Sequence, residues 1–154
     1  MTQLKKRAFW SLIIWSVVMI AIVVIFFSGG GPATFLEGEG KNTLTRVCIT
    51  LGFIFYFLMF FLTRIRASDK PLAKDERDDL IAKRSYSIGF HTLLVYVFLL
   101  CSFLYGYYKG YHEIKFIPVG WVWFLALSSL LVGFISNAIA YLVIDARMSG
   151  HGQS

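Results

Sequence analysis

Residues 8–28 read AFWSLIIWSVVMIAIVVIFFS and contain no charged side chain. An α-helix rises about 1.5 Å per residue, so about 20 mostly apolar residues cross the roughly 30 Å hydrocarbon layer of a bilayer. The run meets this length, and it exceeds the apolar core of a cleaved signal peptide, which has about 7–15 residues. We therefore predict a first transmembrane helix that is retained in the protein.

Three more apolar runs follow, at about residues 43–63, 86–108 and 116–144. Backbone N–H and C=O groups find no water in the hydrocarbon layer, so such spans form helices. Of the 154 residues, 57% are hydrophobic and 16% are charged, which leaves too little polar surface for a water-soluble domain of this size. The sequence predicts an all-α integral membrane protein with one domain, residues 1–154, folded as an antiparallel four-helix bundle.

The basic residues are distributed unevenly between the two sets of helix ends. If the N-terminus is cytoplasmic, the cytoplasmic segments carry 11 of the 15 Lys and Arg residues. These are Lys5, Lys6, Arg7, Arg64, Arg66, Lys70, Lys74, Arg77, Lys83, Arg84 and Arg147. The other side carries Lys41, Arg46, Lys109 and Lys115. Because basic residues accumulate on the cytoplasmic side, we predict cytoplasmic termini and no basic patch for nucleic acid.

Aromatic residues cluster where the third span ends and the fourth begins. They are Tyr105, Tyr107, Tyr108, Tyr111, Trp121 and Trp123. Tyr and Trp are enriched where a membrane meets water, because their rings are apolar and their edges are polar. We predict that these side chains form an interfacial belt on the outer face of the membrane.

The loop between the second and third spans, residues 64–85, reads RIRASDKPLAKDERDDLIAKRS. Ser68 or Asp69 can cap a helix that starts near Pro71, a position where proline is tolerated because its missing N–H would be unpaired in any case. Acidic residues precede basic ones, an order that complements the helix dipole. We predict a short amphipathic cytoplasmic helix that leads into the third span.

The charged residues of this loop form the most distinctive chemical pattern in the chain. They are Asp75, Glu76, Arg77, Asp78, Asp79, Lys83 and Arg84. We interpret them as a candidate interaction surface for a protein partner or for anionic lipid. Carboxylates on one helix face could instead hold Mg²⁺ or Ca²⁺, but no glycine-containing calcium loop accompanies them, and we assign no metal site.

His91 and Asn137 are the candidate buried polar residues of the spans. Polar groups at membrane depth usually face the bundle interior and suggest a function. A structural hydrogen bond is the favoured interpretation of His91. In the alternative, His91 and Asn137 line a pathway between protomers, and the protein is a small transporter or channel subunit.

Small residues and two cysteines suggest further contacts. Ser102, Gly106 and Gly110 recur every four residues in the third span, as do Ser129, Gly133 and Asn137 in the fourth. This spacing lets helix backbones approach closely. We predict packing within the chain, with a homo-oligomer interface as the alternative. The sequence leaves open whether Cys48 and Cys101 are bridged.

The motif Asp75-Glu76-Arg77-Asp78, followed by Ile81, supports a resemblance. It resembles the DER(D/E)xxI motif that small uncharacterised four-span bacterial inner-membrane proteins carry in the same loop. The resemblance implies a multi-pass protein of the bacterial inner membrane and implies no mechanism.

The sequence contains none of the arrangements that mark an enzyme. No nucleophile motif, zinc spacing or phosphate-binding loop is present, so we predict no catalytic residue and no cofactor. The expected function is that of an accessory or regulatory protein, embedded in the lipid bilayer, that contacts a partner protein or anionic lipid through its charged cytoplasmic loop.

Overall fold

The computed structural model describes residues 3–28, 31, 39–65, 76–111 and 117–150. These residues form four α-helices and no strand. The helices are α1 (Gln3–Phe27), α2 (Glu39–Ile65), α3 (Glu76–Tyr111) and α4 (Val119–Gly150). Each contains an apolar stretch that is long enough to cross a membrane. For the described residues, this confirms the prediction of an all-helical chain with four apolar helices that are long enough to span a membrane.

The third and fourth helices are longer than the apolar runs that predicted them. α3 has 36 residues and begins at Glu76, ten positions before the predicted start of the span at Tyr86. At about 1.5 Å per residue it is about 54 Å long, so its charged first turns need not lie in a hydrocarbon layer of roughly 30 Å. The predicted helix start near Pro71 lies outside the described residues. α4 continues past Ile144 and therefore includes Asp145.

The helices pack in the spatial order α2, α1, α4, α3, with close packing between successive members. Along α1 and α4, Trp15 stacks on Phe134 with ring centroids 4.8 Å apart, and Phe26 stacks on Phe124 at 4.5 Å. As the residue numbers increase along α1, the numbers of the α4 residues that they contact therefore decrease. Because α2 and α3 are at opposite ends of this order, they do not pack closely on each other.

The buried apolar core lies along α1 and α4. Its largest members with almost no exposed surface are Trp15, Ile22, Phe26 and Leu131. Most of the apolar side chains of α2 and α3 point away from this core and are exposed in the isolated chain. Such an exposed apolar surface is expected of helices that face lipid.

Two glycines permit the closest approaches between helices. A Cβ atom at Gly52 of α2 would lie 2.8 Å from Cγ2 of Val18 in α1. A Cβ atom at Gly89 of α3 would lie 3.2–3.3 Å from the Cβ, Cα and N atoms of Asn137 in α4. At Gly52 a side chain would force a shift of Val18, whereas at Gly89 it would require Asn137 to move by a few tenths of an ångström.

The small residues Ser102 and Gly106 of α3 do not lie at a close contact between helices. A Cβ atom at Gly106 would meet nothing within 4 Å, and Ser102 is exposed. The prediction that this stripe packs within the chain is wrong for these two residues, because the face of α3 that meets α4 contains Gly89 and Leu104 instead. On α4, Gly133 lies against Leu93 of α3, as expected for packing within the chain.

The two ends of the bundle are named here after their central residues. The Asp145 end contains the starts of α1 and α3 and the end of α4. The Trp121 end contains the end of α1 and the junction from α3 to α4. At the Trp121 end, the indole Nε1 of Trp121 donates a 2.8 Å hydrogen bond to the Tyr108 hydroxyl, and both residues are buried. Tyr105, Tyr107 and Trp123 are exposed, and the interfacial belt stays a prediction.

Candidate functional site

One carboxylate joins three helices at the Asp145 end. Asp145 of α4 is 6% exposed, and its Oδ2 atom lies 2.7 Å from Nζ of Lys5 in α1. Its Oδ1 atom lies 3.8 Å from Nη2 of Arg77 in α3. A buried carboxylate is stable in an apolar surrounding only when cations and hydrogen-bond donors compensate its charge. Asp145 therefore connects the starts of α1 and α3 to the end of α4.

Ser149 completes this junction. Arg77 donates a 2.9 Å hydrogen bond from Nη2 to the Ser149 hydroxyl, which in turn donates a 2.8 Å bond to the backbone carbonyl of Asp145. The guanidinium group can hold both oxygens because it is planar and has several N–H donors. The sequence placed Arg77 in a candidate interaction surface, and the structure assigns it to a contact inside the chain.

The face of α3 that follows Arg77 continues this contact. Ile81 and Ser85 come at successive intervals of four residues and are 0% and 1% exposed, and Gly89 packs against Asn137. Residues four apart lie on the same face of an α-helix. Arg77 and Ile81, two members of the DER(D/E)xxI pattern, thus attach the start of α3 to the rest of the bundle.

The other predicted interaction residues differ in their exposure. Lys83 and Arg84 are exposed, and Asp78 and Asp79 are half-buried. Glu76 is the first residue of α3. Asp75 lies outside the described residues, so the predicted acidic cluster cannot be placed as a whole. Within the described ranges, no group of three or more His, Cys, Asp or Glu side chains is arranged to hold a metal ion.

His91 is exposed in this chain, which contradicts its prediction as a buried residue. Its position follows from helix geometry: His91 is two residues after Gly89, which puts it about 200° around α3 from the face that meets Asn137. The His91 Nδ1 atom lies 2.7 Å from the carbonyl oxygen of Ser87, one turn earlier. Because a carbonyl only accepts, this nitrogen carries the proton. This hydrogen bond supports the structural interpretation of His91, and His91 is not among the described residues that line the cavity beside Asn137.

Asn137 lines a half-open cavity of about 190 Å³ at the meeting point of all four helices. Its Oδ1 atom is buried and has no hydrogen-bond partner among the described residues. From α1 and α2 the cavity is lined by Leu4, Arg7, Ala8, Trp10, Ser11, Ile14, Tyr56, Met59 and Phe60. From α3 and α4 it is lined by Ala82, Ser85, Tyr86, Asn137, Ala138 and Tyr141.

The cavity contains a cation beside aromatic rings. The guanidinium carbon of Arg7 lies 4.7 Å from the ring centroid of Phe60, a cation–π distance. The rings of Phe60 and Tyr86 are exposed, on α2 and α3 respectively. The site combines an apolar wall with a few polar groups, as small-molecule sites commonly do.

Both cysteines are free thiols, with Cys48 half-buried on α2 and Cys101 exposed on α3. The separation of α2 from α3 in the packing order is consistent with this result. In this structure Cys48 and Cys101 are therefore not bridged, which the sequence had left open.

Sequence reasoning missed two features of the Asp145 end, which are the junction at Asp145 and the cavity beside Asn137. Asp145 is the single acidic residue after Glu113 and directly follows the fourth apolar run, and that isolation was an available signal. The cavity had no such signal, because its lining is shared among four helices. No protein-family model, curated protein or solved structure matches the chain, and the resemblance through the DER(D/E)xxI pattern stays a prediction.

Proposed function

We propose that the protein is an integral protein of the bacterial inner membrane, an antiparallel four-span bundle with both termini in the cytoplasm. Four apolar helices of sufficient length support the insertion, and the 11 basic residues assigned to one side support the orientation. Fusing a reporter after Lys74 tests the orientation, because a cytoplasmic reporter such as a fluorescent protein is expected to be active there. Activity of a periplasmic reporter at the same position would contradict it.

Within that membrane the protein acts as a non-enzymatic accessory or regulatory subunit that binds a partner protein. The main supporting observation is that residues near the start of α3 have two different roles. Arg77 and Ile81 attach α3 to the bundle, while Lys83 and Arg84 are exposed at the same end. Exposed charges that lie outside the contacts described for α3 are suited to recognition by another molecule.

A protein partner is favoured over a purely lipid contact by the mixture of charges. Asp78 and Asp79 lie within a turn or two of Lys83 and Arg84. Anionic lipid head groups attract basic residues and repel carboxylates, so paired acids weaken a purely electrostatic lipid contact. A protein surface with complementary charges of both signs can contact both groups, which gives specificity as well as attraction.

The test neutralises the four charges and keeps the net charge of the chain constant. The variant is Asp78→Asn, Asp79→Asn, Lys83→Gln and Arg84→Gln. The control is Lys6→Gln, which removes one positive charge at an exposed position of α1. Cross-linking in cells, followed by purification, compares the proteins bound to each form. We expect a specific protein to be lost from the four-residue variant and retained by the control.

Two outcomes contradict this proposal. If the four-residue variant retains the same bound proteins as the unmodified chain, this part of α3 is not the contact. If it loses only bound lipid, the surface recognises the membrane rather than a protein.

A further inference from the structure

The outward face of α3 carries a histidine in the apolar part of the helix. His91 is exposed, and its neighbours on the same side, Val95 and Phe98, are exposed apolar side chains. Arg84 and Tyr105 are also exposed and lie about 32 Å apart along the helix, close to the thickness of a hydrocarbon layer. His91 comes seven residues after Arg84 and therefore lies about 10 Å below the membrane surface. This depth rests on the membrane insertion in the proposed function.

The ring of His91 has a second nitrogen that can accept a hydrogen bond. Nδ1 donates to the carbonyl oxygen of Ser87, 2.7 Å away, so in the neutral ring Nε2 is an acceptor. Within the described ranges Nε2 has no hydrogen bond. The bond to Ser87 holds the ring against its own helix, so it does not bend towards the surface as a long Lys or Arg side chain does. Because an unpaired acceptor in hydrocarbon is unfavourable, we expect Nε2 to face a donor outside this chain.

A hydrogen-bond donor lies one turn earlier on the same face. Ser87 is exposed, and its hydroxyl can donate as well as accept. Residues four apart are separated by about 6 Å along an α-helix and by about 40° around it. The outward face of α3 therefore presents a donor at Ser87 and an acceptor at His91, one helical turn apart.

This pair of residues is complementary to its own copy. All copies of a membrane protein insert in the same direction, so two α3 helices that meet are parallel and related by a two-fold axis along the membrane normal. In such a contact, if residue i of one copy contacts residue j of the other, residue j also contacts residue i. Each side chain at the contact inserts among four residues of the facing helix, and one of them lies four positions away along the chain. The Ser87 hydroxyl of each copy can therefore donate to Nε2 of His91 in the other, which gives two equal hydrogen bonds.

The same face allows a second helix to approach closely nearer the end of α3. Ser102 lies about 20° from His91 around the helix, and Gly106 lies about 60° from it. Both are exposed, and a Cβ atom at Gly106 would meet nothing within 4 Å. Small residues let helix backbones approach each other in membranes. The fold of one chain leaves these two positions uncovered, and they suit the packing of another helix.

From these observations we propose that the protein forms a symmetric dimer in the membrane through the face of α3 that carries Ser87, His91, Phe98 and Ser102. Ser87 of each copy donates to His91 of the other. A second copy is favoured over an unrelated protein because the donor and the acceptor both occur in this chain at the matching spacing. The contact begins one turn after Arg84, the last of the charged residues proposed to bind a protein partner, so either proposal can fail without the other.

The first experiment locates the contact in cell membranes. In a chain with Cys48→Ser and Cys101→Ser, one new cysteine is introduced as Phe98→Cys, about 20° from His91 around the helix. The matched control is Phe103→Cys, which replaces another exposed phenylalanine at about 120° from His91. Mild oxidation joins only cysteines whose Cα atoms come within about 7 Å of each other. We expect a disulfide-linked dimer from Phe98→Cys and its loss in Phe103→Cys.

The second experiment tests the hydrogen bonds. Energy transfer between differently labelled copies in liposomes gives the dissociation constant of the dimer. His91→Phe keeps a ring and removes the acceptor, and Ser87→Ala removes the donor. Each change removes both symmetric bonds, so each is expected to weaken association about five- to tenfold. The double variant is expected to lose no more than either single variant, because all three lack the same two bonds.

Thr92→Val is the matched control for these substitutions. Thr92 is exposed and directly follows His91, but it lies about 100° further around the helix, and its hydroxyl donates a 2.9 Å hydrogen bond to the carbonyl of Ile88. We expect its dissociation constant to equal that of the unmodified chain. A loss as large as that of His91→Phe would show that the contact does not depend on this face.

Several other results would overturn the proposal. Equal cross-linking of Phe98→Cys and Phe103→Cys would show random collision, and cross-linking of Phe98→Cys only to a different protein would show that another partner covers the face. Losses from His91→Phe and Ser87→Ala that add in the double variant would show that these residues do not bond to each other. If the unmodified chain stays monomeric in liposomes while the reporter after Lys74 is cytoplasmic, the dimer is excluded and the membrane insertion stands.

Discussion

The two ends of the bundle are held together by different forces. At the Asp145 end, the carboxylate of Asp145 in α4 contacts Lys5 of α1 and Arg77 of α3, so one side chain joins three helices. At the Trp121 end, the ring centroid of Phe26 lies 4.5 Å from that of Phe124 and 5.4 Å from that of Trp121. Stabilisation there is spread over many weak apolar contacts.

The difference between the ends has a physical reason. A few directional charged contacts can tolerate water nearby, and both Lys5 and Arg77 retain exposed surface. Their strength depends on one central residue, so the loss of that residue affects α1, α3 and α4 together. Apolar contacts are individually weak and numerous, so the Trp121 end depends on shape and on buried volume rather than on a particular charge.

The largest expected effect is at the aromatic end. Phe26→Ala removes an almost completely buried ring and leaves a cavity. We expect the free energy of unfolding in detergent to fall by about 2–4 kcal/mol, at or below the range for such changes in water-soluble proteins, because the unfolded chain also stays in an apolar phase. Thermal unfolding followed by tryptophan fluorescence measures it. Phe27→Ala, at a neighbouring but exposed ring, is the control and should cost much less; equal losses would show that ring packing does not hold this end.

The next effect tests the carboxylate at the other end. Asp145→Asn preserves the size of the side chain and removes the charge that Lys5 and Arg77 share. We expect a loss of about 1.5–3 kcal/mol, the usual contribution of hydrogen bonds to charged groups. Asp78→Asn makes the same chemical change on the half-buried side of α3 and is expected to stay within about 0.5 kcal/mol of the unmodified chain. If both substitutions cost the same, Asp145 is not the centre of the junction.

Two glycine substitutions between the ends have smaller expected effects on the free energy of unfolding, and these effects are of opposite sign. Gly52→Ala places a Cβ atom 2.8 Å from Val18, whose branched side chain has little rotational freedom in a helix. We expect a loss of about 1–2 kcal/mol from overpacking. Gly106→Ala meets nothing within 4 Å and should stabilise the protein by about 0.5–1 kcal/mol through lower backbone entropy in the unfolded chain. Both values come from the same unfolding assay, and a stabilising Gly52→Ala would contradict the close contact.

The smallest effect concerns the one polar contact described between the side chains of Tyr108 and Trp121. Tyr108→Phe removes the hydroxyl that accepts the 2.8 Å hydrogen bond from Trp121 Nε1. Because the buried indole N–H is then left unpaired, we expect a loss of about 1 kcal/mol. Tyr105→Phe affects an exposed hydroxyl that contacts Lys109 one turn later, and its effect should be close to zero. A loss for Tyr105→Phe as large as that for Tyr108→Phe would remove the distinction between a buried and a surface hydroxyl.

The outcome for individual residues shows which sequence inferences were reliable. Helices around residues 8–28 and 86–108 followed from apolar length, and both are found. The roles of His91 and Tyr108 could not be predicted from the sequence. Residue type and position along a span do not show which side of the helix a side chain faces. His91 lies about 200° from the face that meets α4, whereas Tyr108 lies on the buried side and contacts Trp121.

The sequence by itself determined that the chain forms four long apolar helices, because each run of residues carries its own hydrophobicity and needs no partner to define it. Only the tertiary structure decided that Lys5, Arg77 and Asp145 meet, and that Asn137 opens onto a cavity. Those contacts join positions far apart in the chain, and they depend on the rotation and register of each helix against its neighbours. Rotation and register are set by shape complementarity across interfaces, a property of pairs of helices that no single segment encodes.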